Sequence, residues 1–125
     1  MVTVFDYLDY RVYLREVISE RRQRGTLSYR SLSIKAGIHS PGLLSMVVNG
    51  KRNISEHLAL SITTALKLTK SESDYFCDLV HYNQSREESE KTRYFERLRT
   101  NKRGVIARVK ADQYEFYDAW YYSAL

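Results

Sequence analysis

The side chains best suited to chemistry in this 125-residue chain are basic and polar groups in its first half. Tyr29 and Arg30 form one pair, and Lys51, Arg52 and Asn53 form a second group further along the chain. Their guanidinium, ammonium, phenol and amide groups are donors that bind phosphate oxygens. The positive charges also attract a polyanion without reading its sequence. Phosphate binding is therefore the first chemistry that these residues predict. The alternatives are a surface salt bridge for Arg30 and, for Lys51 and Arg52, compensation of the negative end of a helix dipole.

Four small or polar residues lie between these two groups and are candidates for contact with base edges: Ser40, Gly42, Ser45 and Asn49. Serine and asparagine hydrogen-bond bases, and asparagine pairs with adenine through two bonds. The segment contains no Arg, Lys or Gln between Ser40 and Asn49, although arginine to guanine is the commonest specific contact. The pattern therefore predicts more contact with phosphate than with bases. For Asn49 with Gly50, the alternative is a helix C-terminal stop.

Catalytic chemistry has little support in the sequence. His39, His57 and His81 are isolated, and neither a His-x-x-x-His nor a Cys-x-x-Cys spacing occurs. No nucleophile elbow or glycine-rich phosphate loop is found. We therefore expect no enzyme activity, no metal site and no cofactor. Cys77 is the single cysteine, so we expect it at the core or its boundary, in a reducing cytoplasm.

Charge is distributed in blocks along a chain of net charge +5. Residues 1–54 carry +5, residues 55–85 carry −2, residues 86–111 carry +5 and residues 112–125 carry −3. The first basic block points to a phosphate-rich partner, with a solvated charged surface as the alternative. In the second basic block, glutamates alternate with lysines and arginines. This pattern favours paired surface charges over a second nucleic-acid site. No apolar run approaches the ~20 residues that span a bilayer, so we expect no membrane partner.

Apolar spacing predicts helices along the whole chain. We expect helix 1 from Asp6 or Asp9 to Arg24, with Gly25 ending it and Tyr10 and Tyr13 facing the core. Ser28 is expected to cap helix 2, and Gly37 to end it. Ser40 followed by proline predicts the start of helix 3, which then ends at Asn49-Gly50.

The second half predicts four more helices and one segment of another kind. Ser55 caps helix 4, which runs to about Leu66, and Thr69 with Glu72 forms a capping box for helix 5, which runs from Ser71 or Glu72 to about residue 83. A second capping box, Ser85 with Glu88, opens helix 6. Residues 105–109 fit either a strand or an extended linker, and residues 112–125 predict a last helix.

Residues 28–68 resemble the helix-turn-helix of the lambda-repressor-like, or Cro/Xre-type, superfamily. The resemblance rests on Ala36-Gly37-Ile38, Ser40, Asn49-Gly50-Lys51-Arg52 and Ala65-Leu66-Lys67-Leu68. A wider set of motifs is similar to a little-characterised bacterial family of transcriptional regulators: Tyr10-Arg11, Ser28-Tyr29-Arg30, Asn83-Gln84, Lys91-Thr92-Arg93-Tyr94-Phe95 and Tyr114-Glu115-Phe116-Tyr117 with Trp120-Tyr121. The interval from Gly37 to Gly50 is one residue longer than the usual superfamily spacing.

The resemblance implies an all-α, lambda-repressor-like bundle with extra C-terminal helices. It implies a helix-turn-helix domain over residues 1–84, and a helical extension or the start of a C-terminal domain over residues 85–125. It also implies a transcriptional regulator that binds double-stranded DNA. Helix 3 would lie in the major groove, and the basic residues after it would lie on phosphates. The alternative is a protein–protein interaction module that keeps this fold without reading DNA sequence, because helix 3 is rich in apolar residues.

The tail of the chain is crowded with aromatic residues, among them Tyr114, Tyr117, Trp120 and Tyr121. They occur at helical spacing without interleaved Lys or Arg, which favours a packing stripe over a platform for stacked bases. We expect this stripe to contact a missing C-terminal domain or a partner protein. A homodimer is also expected, because one short helix reads few bases.

Overall fold

The computed structural model of the protein describes residues 2–40 and 42–101. Over those residues the chain is helical and contains no strand. A 3-10 turn at Val4–Asp6 precedes the α-helices. These are α1 (Tyr10–Gln23), α2 (Tyr29–Lys35), α3 (Leu43–Val48), α4 (Glu56–Ala65), α5 (Lys70–Gln84) and α6, which covers residues 88–101 of the described chain. The all-α prediction is confirmed, and the predictions for residues 105–109 and 112–125 lie outside the described residues.

Side-chain caps fix where four of the helices begin. Asp9, Ser28 and Ser55 each accept a hydrogen bond from a backbone N–H two or three residues further on. Thr69 and Glu72 form a reciprocal capping box, with bonds of 3.3 and 2.8 Å. Each cap satisfies a donor that the first helical turn leaves unpaired, at a gain of about 1 kcal/mol. The four predicted caps are confirmed, although α5 begins at Lys70 rather than at Ser71 or Glu72.

Glycine fixes where the first three helices end. Gly25, Gly37 and Gly50 have φ angles of +74°, +74° and +79°, a left-handed conformation that strains residues with a Cβ atom. In each case the glycine and the next residue donate N–H bonds back into the last turn, the Schellman pattern. The end of α4 has the same bonds, but Lys67, at φ +60°, occupies the glycine position. The three glycine stops were predicted, and the lysine was not.

The prediction for the start of helix 3 was wrong. The helix begins at Leu43 rather than Ser40, and Gly42 at its N-cap position provides no side-chain bond. The Ser40 carbonyl accepts the Leu43 N–H at 3.2 Å, and Gly42 lies in a turn rather than in the helix. A residue before proline is disfavoured in helical conformation, and glycine is a poor helix former. The helix is therefore shorter than the serine–proline pair predicted, while its end at Asn49 is confirmed.

The predicted capping box at Ser85 and Glu88 is also wrong. The Ser85 hydroxyl contacts the Glu87 carbonyl and the Glu90 carboxylate, at 3.4 and 3.2 Å. Ser85 is the C-terminal cap residue of α5, with its own N–H bonded to the His81 carbonyl. Two helices thus meet within a few residues, and the serine ends the first instead of capping the second.

An aromatic cluster joins α1 to α5 at the centre of the core. Phe5 packs edge-on against Tyr75, and Tyr10 and Tyr13 pack edge-on against Phe76, with ring centroids 5.1 to 6.0 Å apart. All five rings are buried. Edge-to-face aromatic pairs stabilise a core beyond the area they bury. The prediction that the tyrosines of helix 1 face the core is confirmed for Tyr10 and Tyr13.

Helix α6 packs on α5 through apolar, polar and aromatic contacts. Leu98 is buried in the same core as α1 to α5. The buried Asp78 carboxylate lies 3.2 Å from the Arg97 guanidinium and accepts a bond from the Asn101 amide at 3.2 Å. His81 stacks on Tyr94 at 4.8 Å. The domain boundary between residues 84 and 85 stays a prediction. None of the described helices is long and apolar enough to cross a membrane.

Candidate nucleic-acid interface

Helices α2 and α3 pack against each other, and α3 also packs on α1, so one side of α3 remains outward. Leu44, Val47 and Val48 are buried and hold α3 to the core. Its outward residues, three or four positions apart, form one continuous face: Gly42, Ser45, Met46 and Asn49. Most of the apolar residues that crowd helix 3 are thus explained by core packing. The face itself offers few groups that read bases.

Residues 50–55, which we call the basic loop, connect α3 to α4. The side chains of Lys51, Arg52 and Asn53 are exposed. Ile54, in the same loop, is buried in the core and anchors it. The predicted phosphate-binding group is therefore on the surface, directly after the C-terminal end of the predicted reading helix.

Arg11 of α1 holds the backbone of the basic loop. Its guanidinium donates to the Val47 carbonyl, to the Arg52 carbonyl at 2.8 Å and to the Asn53 side-chain oxygen at 2.8 Å. Arg15, one turn further along α1, donates to the Val48 carbonyl at 3.4 Å. Because an arginine donates in a fixed planar fork, these contacts constrain both the end of α3 and the start of the loop.

Gln84, at the end of α5, holds the other side of the loop. Its amide accepts the Ile54 N–H at 2.9 Å and donates to the Ile54 carbonyl at 2.8 Å. The Tyr10 hydroxyl donates to the same amide oxygen at 2.6 Å. Burial raises the pKa of Tyr10 to about 12, so the hydroxyl keeps its proton at neutral pH. Helices α1 and α5 therefore converge on the loop backbone.

These contacts bear on the alternative role of the loop cations, which is to neutralise the negative end of α3. The carbonyls of Val47 and Val48 at that end accept from Arg11 and Arg15 instead. Within the described residues, the side chains of Lys51 and Arg52 make no hydrogen bond or ion pair. Two positive groups are thus exposed on a backbone that is already fixed.

The remaining predicted contacts differ in exposure. Arg30 is exposed at the first turn of α2, and Ser40 is exposed in the turn before α3. Tyr29 is half-buried and packs against the core, so its ring supports α2 and only part of it reaches the surface. Asn53 already accepts a bond from Arg11, which leaves its amide nitrogen for an outside acceptor.

The sequence did not single out Arg11, Arg15 or Gln84 as parts of the site. Arg11 and Arg15 are spaced four apart and therefore lie on one side of α1, next to the buried Tyr10. That spacing is a signal for a shared polar contact, but it does not name the partner. The carbonyls that the two arginines reach come from a segment more than thirty residues away.

Other chemistry finds little support in the described residues. No group of His, Cys, Asp and Glu side chains there could hold a metal ion. Cys77 is half-buried, as predicted for a boundary residue. Burial, together with the neighbouring Asp78 carboxylate, raises the pKa of its thiol to about 11. The thiol therefore stays protonated at neutral pH, unlike a reactive cysteine.

Comparisons with protein-family models, with curated proteins and with solved structures found no match for this chain. The resemblance to lambda-repressor-like proteins therefore stays a prediction. The proposed tail contacts Tyr114, Tyr117, Trp120 and Tyr121 lie outside the described residues.

Proposed function

We propose that this protein binds double-stranded DNA as a transcriptional regulator, in the cytoplasm of a bacterial cell. In this proposal, helix α3 lies in the major groove and the basic loop contacts the phosphate backbone. The observation that supports it most is the basic loop itself. Its backbone is held by Arg11 and Gln84 while the charges of Lys51 and Arg52 face solvent.

A fixed loop backbone suits phosphate binding because binding then orders only the ends of two long side chains. Each positive group that neutralises a phosphate also releases condensed counterions, which favours binding at low salt. Arg30, exposed at the start of α2, is the candidate for a further phosphate contact.

Base reading in this proposal is limited to a short helix. Helix α3 has six residues, about 9 Å of helix, and outward side chains from Ser45, Met46 and Asn49. Ser40 and Gly42 lie at the turn before it. Such a helix contacts few base pairs, so we also propose a homodimer that places two copies on adjacent half-sites.

The second candidate function is a protein–protein interaction module without sequence-specific DNA reading. It is favoured by two exposed apolar side chains, one on α2 and one on α3: Ile34 is 69% exposed and Met46 is 40% exposed. A protein partner would bury these side chains, and loss of the basic-loop charges would then change affinity for that partner only modestly.

The deciding experiment is a titration of the full chain against a random-sequence duplex at several salt concentrations. DNA binding predicts that log affinity falls linearly with log salt concentration. A duplex competitor of the same length should displace the labelled one. Absence of binding at low salt would contradict the DNA proposal and favour the protein-interaction module.

A further inference from the structure

A second basic surface lies at the C-terminal end of α1, away from the basic loop. It is a groove of about 320 Å³ whose lining includes four positive residues from three helix ends: Arg21, Arg24, Lys35 and Lys67. None of the described residues that line it is acidic. Arg21 follows Arg11 by ten residues, or about 15 Å along α1, so the groove and the basic loop lie at different ends of that helix.

Three helix C-termini meet at this groove, and their negative ends neutralise part of its charge. The C-cap residues of helices α1, α2 and α4 are Arg24, Ala36 and Leu66. Each end is equivalent to about half a negative charge. Arg21 donates to the Leu66 carbonyl at 2.9 Å, and Arg24 pairs with Glu20 at 3.8 Å. The four positive groups exceed these compensating charges, so the groove keeps a net positive charge.

A second charged cleft in the described part of the chain lacks this positive excess. The cleft between α5 and α6 contains Arg93 and Arg97 together with Asp74, Asp78 and Glu96. Its three acidic side chains outnumber its two arginines, and Arg97 and Asp78 lie only 3.2 Å apart. In the groove at the end of α1, by contrast, Lys35 and Lys67 make no ion pair with another described residue.

Lys67 is the second observation that points to a ligand. It occupies the left-handed position that Gly25, Gly37 and Gly50 occupy at the other three Schellman ends. A residue with a Cβ atom is strained there, and nothing in the bonding of the helix end requires a side chain. The chain thus keeps a strained lysine where glycine serves elsewhere, and that lysine lines the groove.

We propose that this groove is a binding site for a phosphate-class oxyanion, held by Lys35, Lys67 and Arg24, with Arg21 fixing the groove wall. Arginine presents a planar fork that matches phosphate oxygens, and lysine adds point charges. The site is independent of the basic loop, so it remains even where the proposed DNA function fails. The phosphate can belong to a free anion or to a nucleic-acid backbone.

The test uses the full chain and inorganic pyrophosphate, with sodium chloride at matched ionic strength as the blank. Pyrophosphate should raise the melting temperature saturably and shift the backbone NMR signals of residues 35 and 67. Lys67→Gly should weaken pyrophosphate binding by about tenfold or more, because it removes a charge-assisted contact. Without pyrophosphate, the same variant should melt at an equal or higher temperature, because the backbone strain is relieved.

Lys70→Gly is not a suitable control, because it would weaken α5, so the matched control is Lys70→Gln. Lys70 is exposed and lies outside the groove, so the pyrophosphate affinity of the Lys70→Gln protein should stay within about twofold of that of the unsubstituted chain.

Lys35→Gln, which leaves the Lys67 backbone unchanged, should weaken pyrophosphate binding as Lys67→Gly does. Unsaturable binding, or equal affinity in Lys67→Gly and the unsubstituted chain, would overturn the proposal. A lower melting temperature of Lys67→Gly with unchanged affinity would assign Lys67 to the helix end and would overturn it too.

A duplex DNA arm distinguishes the two sources of phosphate. If the groove takes a backbone phosphate, Lys67→Gly should lower the slope of log DNA affinity against log salt by about one, and DNA should compete with pyrophosphate. If it takes a free anion, DNA affinity and slope should be unchanged and both ligands should bind together. Failure of DNA binding with retained pyrophosphate binding would contradict the proposed function alone.

Discussion

The basic loop and the outward face of α3 are neighbours in the chain but differ in how they are built. The loop has two free cations on a backbone that contacts Arg11 and Gln84. The face of α3 has Ser45, Met46 and Asn49 and no cation. The basic loop is suited to strong binding of negatively charged phosphates, whereas the face of α3 offers few groups for contact with bases.

This difference suggests how the proposed function divides between the two regions. Phosphate contacts set the affinity and register of a DNA complex, whereas base contacts set its specificity. We therefore expect tight, salt-dependent binding with weak discrimination between sequences. Additional specificity would come from DNA shape or from a second copy of the chain.

The largest effect in this comparison should come from Arg11→Ala. The change removes three hydrogen bonds to the loop and the end of α3. The Val47 and Arg52 carbonyls then lose the guanidinium donor that they have in the unsubstituted chain. We expect a loss of about 2 kcal/mol in the free energy of unfolding and about tenfold in DNA affinity. Chemical denaturation and DNA titration measure the two effects. Because Lys51 and Arg52 remain, the salt slope should stay close to that of the unsubstituted chain, and a slope reduced by two would contradict the positioning role.

Gly50→Ala should have the next largest effect. At φ +79° an alanine is strained, and we expect a loss of about 1 kcal/mol in unfolding free energy. Gly25→Ala is the matched control, because Gly25 has a similar φ of +74° at the end of α1. Both variants should lose similar stability in chemical denaturation, but only Gly50→Ala should weaken DNA binding. Equal weakening by both would show that the loop has no special part in it.

Met46→Lys tests whether α3 lies against the DNA. Met46 is 40% exposed, so a lysine there is tolerated and adds a positive charge to the outward face. We expect DNA affinity to rise a few fold at low salt and the salt slope to rise by up to about one. Titration at several salt concentrations measures both. Unchanged affinity and slope would place α3 away from the duplex, as the protein-interaction alternative requires.

The smallest effect should come from Asp78→Asn, which lies between α5 and α6 and outside both regions. Burial raises the pKa of Asp78 above its usual 3.8, although Arg97 lowers it in part. A raised carboxyl pKa means that the folded protein favours the protonated form, so stability decreases as pH rises from the usual pKa through the raised one. The variant should therefore melt slightly higher than the unsubstituted chain at pH 7, with the gain shrinking towards pH 4. DNA affinity should not change, and a loss of stability at pH 7 would show that the ion pair with Arg97 outweighs burial.

Much of this architecture follows from local sequence rules. The caps at Asp9, Ser28 and Ser55 and the glycine stops depend on side chains within a few residues of the helix ends, so the sequence predicts them. The predicted start of α3 was wrong because it relied on serine followed by proline, a common signature of a helix start, whereas α3 begins after Gly42 without a side-chain cap. Such a signature alone does not show where a weak helix begins.

The site could be predicted only in part, for a physical reason. Exposed Lys51 and Arg52 are recognisable because charge next to a helix end is a local feature. The bonds from Arg11 and Gln84 join segments 30 or more residues apart, and no local rule specifies such pairs. Lys67 could not be predicted either, since its left-handed conformation goes against the preference of its residue type.

The central claim is that the basic loop supplies the affinity for DNA, and one salt titration of three proteins tests it directly. The proteins are the unsubstituted chain, Lys51→Ala with Arg52→Ala, and Ser45→Ala with Asn49→Ala, each titrated against a random duplex. We predict that the loop variant lowers the slope of log affinity against log salt by about two, while the α3 variant leaves that slope unchanged. Equal slopes for the loop variant and the unsubstituted chain would contradict the account.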